Sequence, residues 1–93
     1  MENNKLCKNT INHIITIIES MIDRNESLNN KYKITIDENK DKLFKLNYFT
    51  ENDIERCRGL SIENDINSFK NSIITNNIEN RTLELLLRKI NTL

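Results

Sequence analysis

The sequence predicts an α+β fold that is mostly helical: a helix, a β-hairpin and then three helices, with an all-α small bundle as the alternative. Three observations predict it. Apolar residues recur at helical spacing over residues 5–24, apolar and polar residues alternate strictly on both sides of a short polar loop in residues 32–48, and the single glycine, Gly59, sits in a chain with no proline. At 93 residues the chain is expected to be one small globular domain spanning 1–93. A chain of this size buries only about 60–65% of the surface it exposes when unfolded, so its stability margin is thin.

The first helix follows from a wheel at about 100° per residue. Cys7, Ile11, Ile14, Ile15, Ile17, Ile18, Met21 and Ile22 fall within an arc of roughly 160°, opposite Lys8, Asn12, Thr16, Glu19 and Asp23. That arc is wide for one contact. Either the helix packs against two neighbours in its own chain, or Ile14, Ile17 and Met21 extend into a seam with another subunit, which Ile17→Glu would split into folded monomers. The polar run Arg24 to Asn30 is expected to end the helix.

Tyr32, Ile34 and Ile36 alternate with Lys33 and Thr35, and Phe44, Leu46 and Tyr48 alternate with Lys45 and Asn47. A period of two on either side of a polar loop is the signature of a β-hairpin with one apolar face laid on helices. A short helix from Asp41 to Asn47 is the competing reading.

Thr50 is placed to cap the next helix, with Phe49 and Ile54 positioned as a hydrophobic staple. Gly59 would close that helix in a left-handed conformation, and Ser61 would cap the following one. Alanine at Gly59 would then destabilise the fold by about 1 kcal/mol or more. After Ser61, Ile62, Ile66, Phe69 and Ile73 form a narrow stripe, which Thr75-Asn76-Asn77 interrupts. The final helix, from about Ile78, carries Leu83, Leu86, Leu87, Ile90 and Leu93 on one side, and Leu85 among Arg81, Glu84 and Arg88 on the other.

Composition narrows the function. Fourteen basic and fourteen acidic side chains give zero net charge, and neither half of the chain departs from balance by more than one unit. Proteins held to nucleic acid through phosphates carry a basic excess, and this chain has none. Asn occurs 17 times and Ile 15 times while Ala, Val, Gln, Pro and Trp are absent. Such usage suits an AT-rich gene, as in a phage or plasmid of a low-GC bacterium.

Catalytic and metal signatures are weak. Cys7 and Cys57 lie far apart with one histidine in the chain, which is neither a zinc-ligand spacing nor a disulfide framework. Asp37, Asn39 and Asp41 open like a calcium loop, but Lys42 stands where that loop needs glycine and Tyr48 where it needs a bidentate glutamate. His13 has no acidic residue one turn away to orient it. No cofactor and no metal are expected. The segment after Met1 has no signal-peptide pattern, the apolar runs are two or three residues long, and the expected location is cytoplasmic.

A DNA-binding helix-turn-helix around Gly59 is the second functional reading. Ile54, Gly59 and Leu60 fit its spacing, whereas Glu55 replaces a small residue and Asp65 occupies a position that should be buried. If DNA is bound, contacts fall to Arg56, Arg58, Lys70, Lys31, Lys33, Lys40 and Lys42. The leading expectation is a small non-enzymatic protein-interaction module, an inhibitor, adaptor or accessory factor. It is expected to be homodimeric and to act through Ile14, Ile17, Met21 and Leu85.

Overall fold

A computed structural model describes residues 2–46 and 53–92, with side chains for 7–46 and 53–92. Two helices account for nearly all of them: α1, Glu2–Lys45, and α2, Asp53–Asn91. They run antiparallel, as the cross-helix pairs Asn25–Asn80 and Asn29–Asn76 require. The result is an αα-hairpin with extents of 76 × 15 × 14 Å and a radius of gyration of 21.2 Å. A compact chain of this length would have a radius of about 12 Å.

One spacing explains both helices. On α1 the positions turned from solvent include the series Ile11, Ile15, Ile18, Ile22, Asn25, Asn29, Tyr32, Ile36, Asn39, Leu43 and Leu46, with half-buried Leu28 and Thr35 beside it. On α2 they include the series Gly59, Ile62, Ile66, Phe69, Ile73, Asn76, Asn80, Leu83, Leu87 and Ile90, with half-buried Glu55, Glu63 and Ser72 outside it. Steps of three and four alternate without a break, which is the a/d seam of a coiled coil. Continuing the register of the two Asn pairs sets Ile18 opposite Leu87, Ile22 opposite Leu83, Ile36 opposite Phe69 and Leu46 opposite Gly59. Tyr32 also meets Phe69, with ring centroids 5.6 Å apart and planes tilted by 30°.

The predicted α+β architecture is therefore wrong, and the all-α alternative holds in a simpler form than a bundle. The polar run from Arg24 to Asn30 does not end α1. Residues 32–45, assigned to the hairpin strands and their loop, are helical. Their period of two arises because Ile34 points outward on the back of the helix while Tyr32 and Ile36 face the seam. The wider alternation of Asn29, Tyr32, Ile36, Asn39 and Leu43 decides the structure, because only a helix puts all five on one side. The Thr50 cap, the Phe49 staple and Tyr48 lie outside the described residues.

Gly59 is not a turn. It lies inside α2 with a negative φ, so neither the helix break nor the helix-turn-helix built on it exists. Thr75-Asn76-Asn77 does not interrupt α2 either. The Thr75 hydroxyl donates to the Asn71 carbonyl at 3.0 Å, and the two asparagine side chains reach across to α1. Other hydroxyls that could compete with the helix are tied back in the same way, Thr16 to Asn12 and Ser72 to Ser68 among them. Asp53 and Glu55 in the first turn of α2, and Arg88 and Lys89 in its last, complement the helix dipole.

The placement of Gly59 reverses the expected effect of alanine there. Gly59 is buried at a seam position, but the adjoining layers hold Leu43, Leu46 and Ile62, so the helices are spaced for side chains larger than a methyl group. Gly59→Ala is expected to stabilise the hairpin by about 0.5–1 kcal/mol through lower backbone entropy in the unfolded chain. Thermal unfolding followed by helix ellipticity checks this, and a lower midpoint than wild type would mean that the backbones touch at Gly59.

Candidate interaction surface

In an antiparallel helix pair the seam is bordered by two flanks of different composition, one formed by the e and b positions of both helices and the other by their g and c positions. The grooves of this hairpin confirm the assignment. One groove is lined by Lys40, Glu63 and Lys70 beside Leu43 and Ile66, all flanking the seam on the e side. Another, of about 450 Å³, is lined by Lys42, Lys45, Arg58 and Ser61 beside Leu46 and Ile62, on the g side. Both are open surface grooves.

The e/b flank carries Glu19, Asp23, Glu26, Lys33, Asp37 and Lys40 from α1 and Arg56, Glu63, Lys70, Arg81, Glu84 and Arg88 from α2, and its exposed apolar side chains, Phe44, Leu60 and Ile74, are spread along it away from the end that holds Glu19, Asp23, Glu84 and Arg88. The g/c flank at the end of the hairpin away from the 46–53 connection is different. It presents Ile14, Ile17 and Met21 from α1 and Leu86 from α2, 41–47% exposed, with half-buried Leu28 next along α1. Thr82, Thr75, Ser72 and Ser68 continue the strip along α2. Arg24, Glu79 and Lys89 share the flank at this end, and it is the clustering of the large apolar groups that separates the strip from the scattered exposed leucines any surface carries.

Three of the four residues expected at an interface, Ile14, Ile17 and Met21, share this flank. Leu85 does not. It is 56% exposed on the back of α2, beyond Leu86, with Arg81, Glu84 and Arg88 around it. Leu86, which belongs to the strip, escaped the sequence reading because it was counted with the core face of the last helix. The step Leu83, Leu87, Ile90 would have separated it, since 86 falls outside that alternation of four and three. The wide arc of the first helix now divides cleanly. Ile11, Ile15, Ile18 and Ile22 face α2, and Ile14, Ile17 and Met21 face solvent.

The residues offered as DNA contacts are not gathered. Lys33, Lys40, Arg56 and Lys70 lie on the e/b flank, interleaved with Glu63 and Asp37, whereas Lys31, Lys42 and Arg58 lie on the opposite one. Arg56 is also paired with Asp53 one turn before it. His13, Cys7 and Cys57 are exposed, with His13 and Cys7 within two turns on α1 and Cys57 toward the opposite end of the hairpin, and no cluster of potential metal ligands occurs among the described residues. No helix among them is long and apolar enough to cross a membrane.

Between the two apolar stretches of the seam lies a polar layer. Asn25 Nδ2 donates to Asn80 Oδ1 at 2.9 Å and to Glu79 Oε1 at 3.2 Å. Asn76 Nδ2 donates to Asn29 Oδ1 at 2.9 Å, and Asn29 Nδ2 to Asn77 Oδ1 at 3.0 Å. Asn25, Asn29 and Asn80 are buried, and among the described residues no buried side-chain nitrogen or oxygen lacks a partner. These amides hold the register of the hairpin and leave no free group aimed at a ligand.

No known protein family matches this chain, nor does any curated protein or solved structure compared with it.

Proposed function

We propose that the chain is a non-enzymatic helical interaction module, an inhibitor, adaptor or accessory factor that works by docking the apolar g/c flank of its hairpin against helices of another polypeptide. The observation that carries this reading is the contrast between the flanks: Ile14, Ile17, Met21 and Leu86 cluster on one, while the equivalent stretch of the other carries Glu19, Asp23, Glu84 and Arg88. An apolar strip beside a heptad seam is the surface to which further helices add in coiled-coil assemblies. The seam itself contains four buried apolar side chains, Ile18, Ile22, Ile36 and Ile66, a small core for a helical pair of this length.

Photo-crosslinking from single positions tests the reading in cells expressing the protein. A photoreactive residue at Ile17 is expected to yield a discrete protein adduct, and the same residue at Asp23 on the charged flank is expected to yield none. Equal products from both positions, or none from Ile17, would remove the flank as the working surface. A mixed-sequence DNA duplex added at low salt is expected to leave the protein's elution unchanged; a complex that dissolves as salt rises would assign the function to nucleic-acid binding instead.

A further inference from the structure

Resting on that reading, we infer that the partner of the apolar flank is a second copy of this chain, packed antiparallel to the first about Ile17 and Met21 to close a four-helix bundle. Area is the first argument. The hairpin exposes 7574 Å². A compact monomer of its mass, 11.0 kDa, would expose roughly 5,600 Å². The excess, roughly 2,000 Å², exceeds the ~800 Å² per partner that a stable interface of standard size removes. Among the described residues the two helices leave that flank uncovered, and a second hairpin would lay two helices against it.

Self-complementarity is the second argument. In a two-fold contact one patch meets itself, so it must be free of like charges at its centre. Ile14, Ile17, Met21 and Leu86 meet that condition. Farther along the same flank, near the connection, Lys42, Lys45 and Arg58 line one groove. Two copies laid side by side in the same direction would oppose these cations. The antiparallel arrangement instead carries the two basic ends away from each other and overlaps the copies over the apolar end alone, a stretch of about 30 Å for the 22 residues from Cys7 to Leu28.

Sedimentation equilibrium of the full chain at tens of micromolar tests the inference, with helix ellipticity recorded on the same samples. Wild type is expected at twice the 11.0 kDa chain mass, and Ile17→Glu at the chain mass with its helix signal retained. Leu85→Glu, on the back of α2, is expected to stay dimeric. If Ile17→Glu loses helix, the milder Ile17→Ser is read in its place and is expected to raise the dimer dissociation constant at least tenfold. A wild-type monomer at these concentrations, a dimer unaffected at Ile17, or a dimer split by Leu85→Glu would each overturn the proposal. The crosslinking at Ile17 described above is scored independently: an adduct to a different protein with a monomeric wild type would retain the flank and discard the self-pairing. In a Cys57→Ser background, rapid oxidation to a Cys7–Cys7 disulfide dimer would overturn the antiparallel order, which sets those thiols about 35 Å apart, and its absence from a proven dimer supports it.

Discussion

Ile18→Ala is expected to destabilise the hairpin by about 3 kcal/mol, lowering its thermal midpoint by roughly 15 °C at fixed protein concentration. Ile18 is buried at the seam, opposite Leu87, in the apolar stretch that holds together the end of the hairpin away from the connection. Truncation removes three methyl or methylene carbons from a site bordered by only two helices. The cost therefore falls in the middle of the range for such changes rather than at its top, because solvent and neighbouring rotamers can partly fill the gap. A 93-residue domain holds only a few kcal/mol in reserve, so one such change is expected to leave much of the protein unfolded near body temperature. Ile34→Ala, on the exposed back of α1, is the control and is expected to change stability by less than about 0.5 kcal/mol. Helix ellipticity against temperature distinguishes them. Equal losses at Ile18 and Ile34 would mean that the seam does not hold the helices together.

That contrast also shows why the fold was only partly legible in the sequence. The sequence reading makes Ile62, Ile66, Phe69 and Ile73 one face of a helix and Leu83, Leu86, Leu87, Ile90 and Leu93 another; the first set and Leu83, Leu87 and Ile90 of the second lie on the seam of α2, while Leu86 lies on its flank. What hid their continuity is the reading of Asn25 and Asn29 as a helix-ending run, of Asn39 as hairpin loop and of Asn76 as an interruption, with Asn80 left out of the apolar face of the last helix. Counted as seam residues, they complete an uninterrupted alternation of three and four from Ile11 to Leu46 and from Gly59 to Ile90. Seventeen asparagines in 93 residues made any single one look like background, and an amide is buried only when its partner lies across the interface, information that a one-dimensional pattern does not contain. Gly59 misled for a related reason. A lone glycine without proline invites a turn, yet glycine costs only about 1 kcal/mol inside a helix, and the heptads on either side outweigh that.

The width of the apolar arc on the first helix was legible in the sequence. An arc of roughly 160° on the first helix is too wide for a single partner helix, and this held whichever elements followed. The structure divides the arc into Ile11, Ile15, Ile18 and Ile22 against α2, and Ile14, Ile17 and Met21 outward. Leu85 falls off the flank of Ile14, Ile17 and Met21; the sequence reading judges its exposure from charged neighbours on one wheel. Exposure was right, but a flank belongs to two helices at once, and Leu86 joins Ile17 and Met21 only when the antiparallel register is known.

The Asn layer is expected to show the opposite mutational pattern to the apolar seam: single changes harm, and the paired change does not. Asn80→Ala removes the acceptor at 2.9 Å from Asn25 and is expected to cost about 2 kcal/mol, leaving the buried Asn25 amide with Glu79 alone. Replacing both Asn25 and Asn80 with Leu is expected to restore or exceed wild-type stability, since a well-packed apolar pair replaces two desolvated amides. The loss should appear in uniqueness instead. A slip of one heptad would bring Asn25 against Ile73 or Leu87 and Asn80 against Ile18 or Tyr32, stranding amides at about 1–3 kcal/mol each. With leucine at both positions that penalty falls only on Asn29 and Asn76, so the double variant is expected to populate slipped or higher-order assemblies. A double-mutant cycle by thermal or denaturant unfolding is expected to give a coupling of about 1–2 kcal/mol between positions 25 and 80, and sedimentation of the Leu/Leu variant is expected to show a broader mass distribution than wild type. Zero coupling together with a single sharp species would mean that the apolar layers alone set the register. The amides buried between α1 and α2 would then be tolerated in the seam rather than used by it.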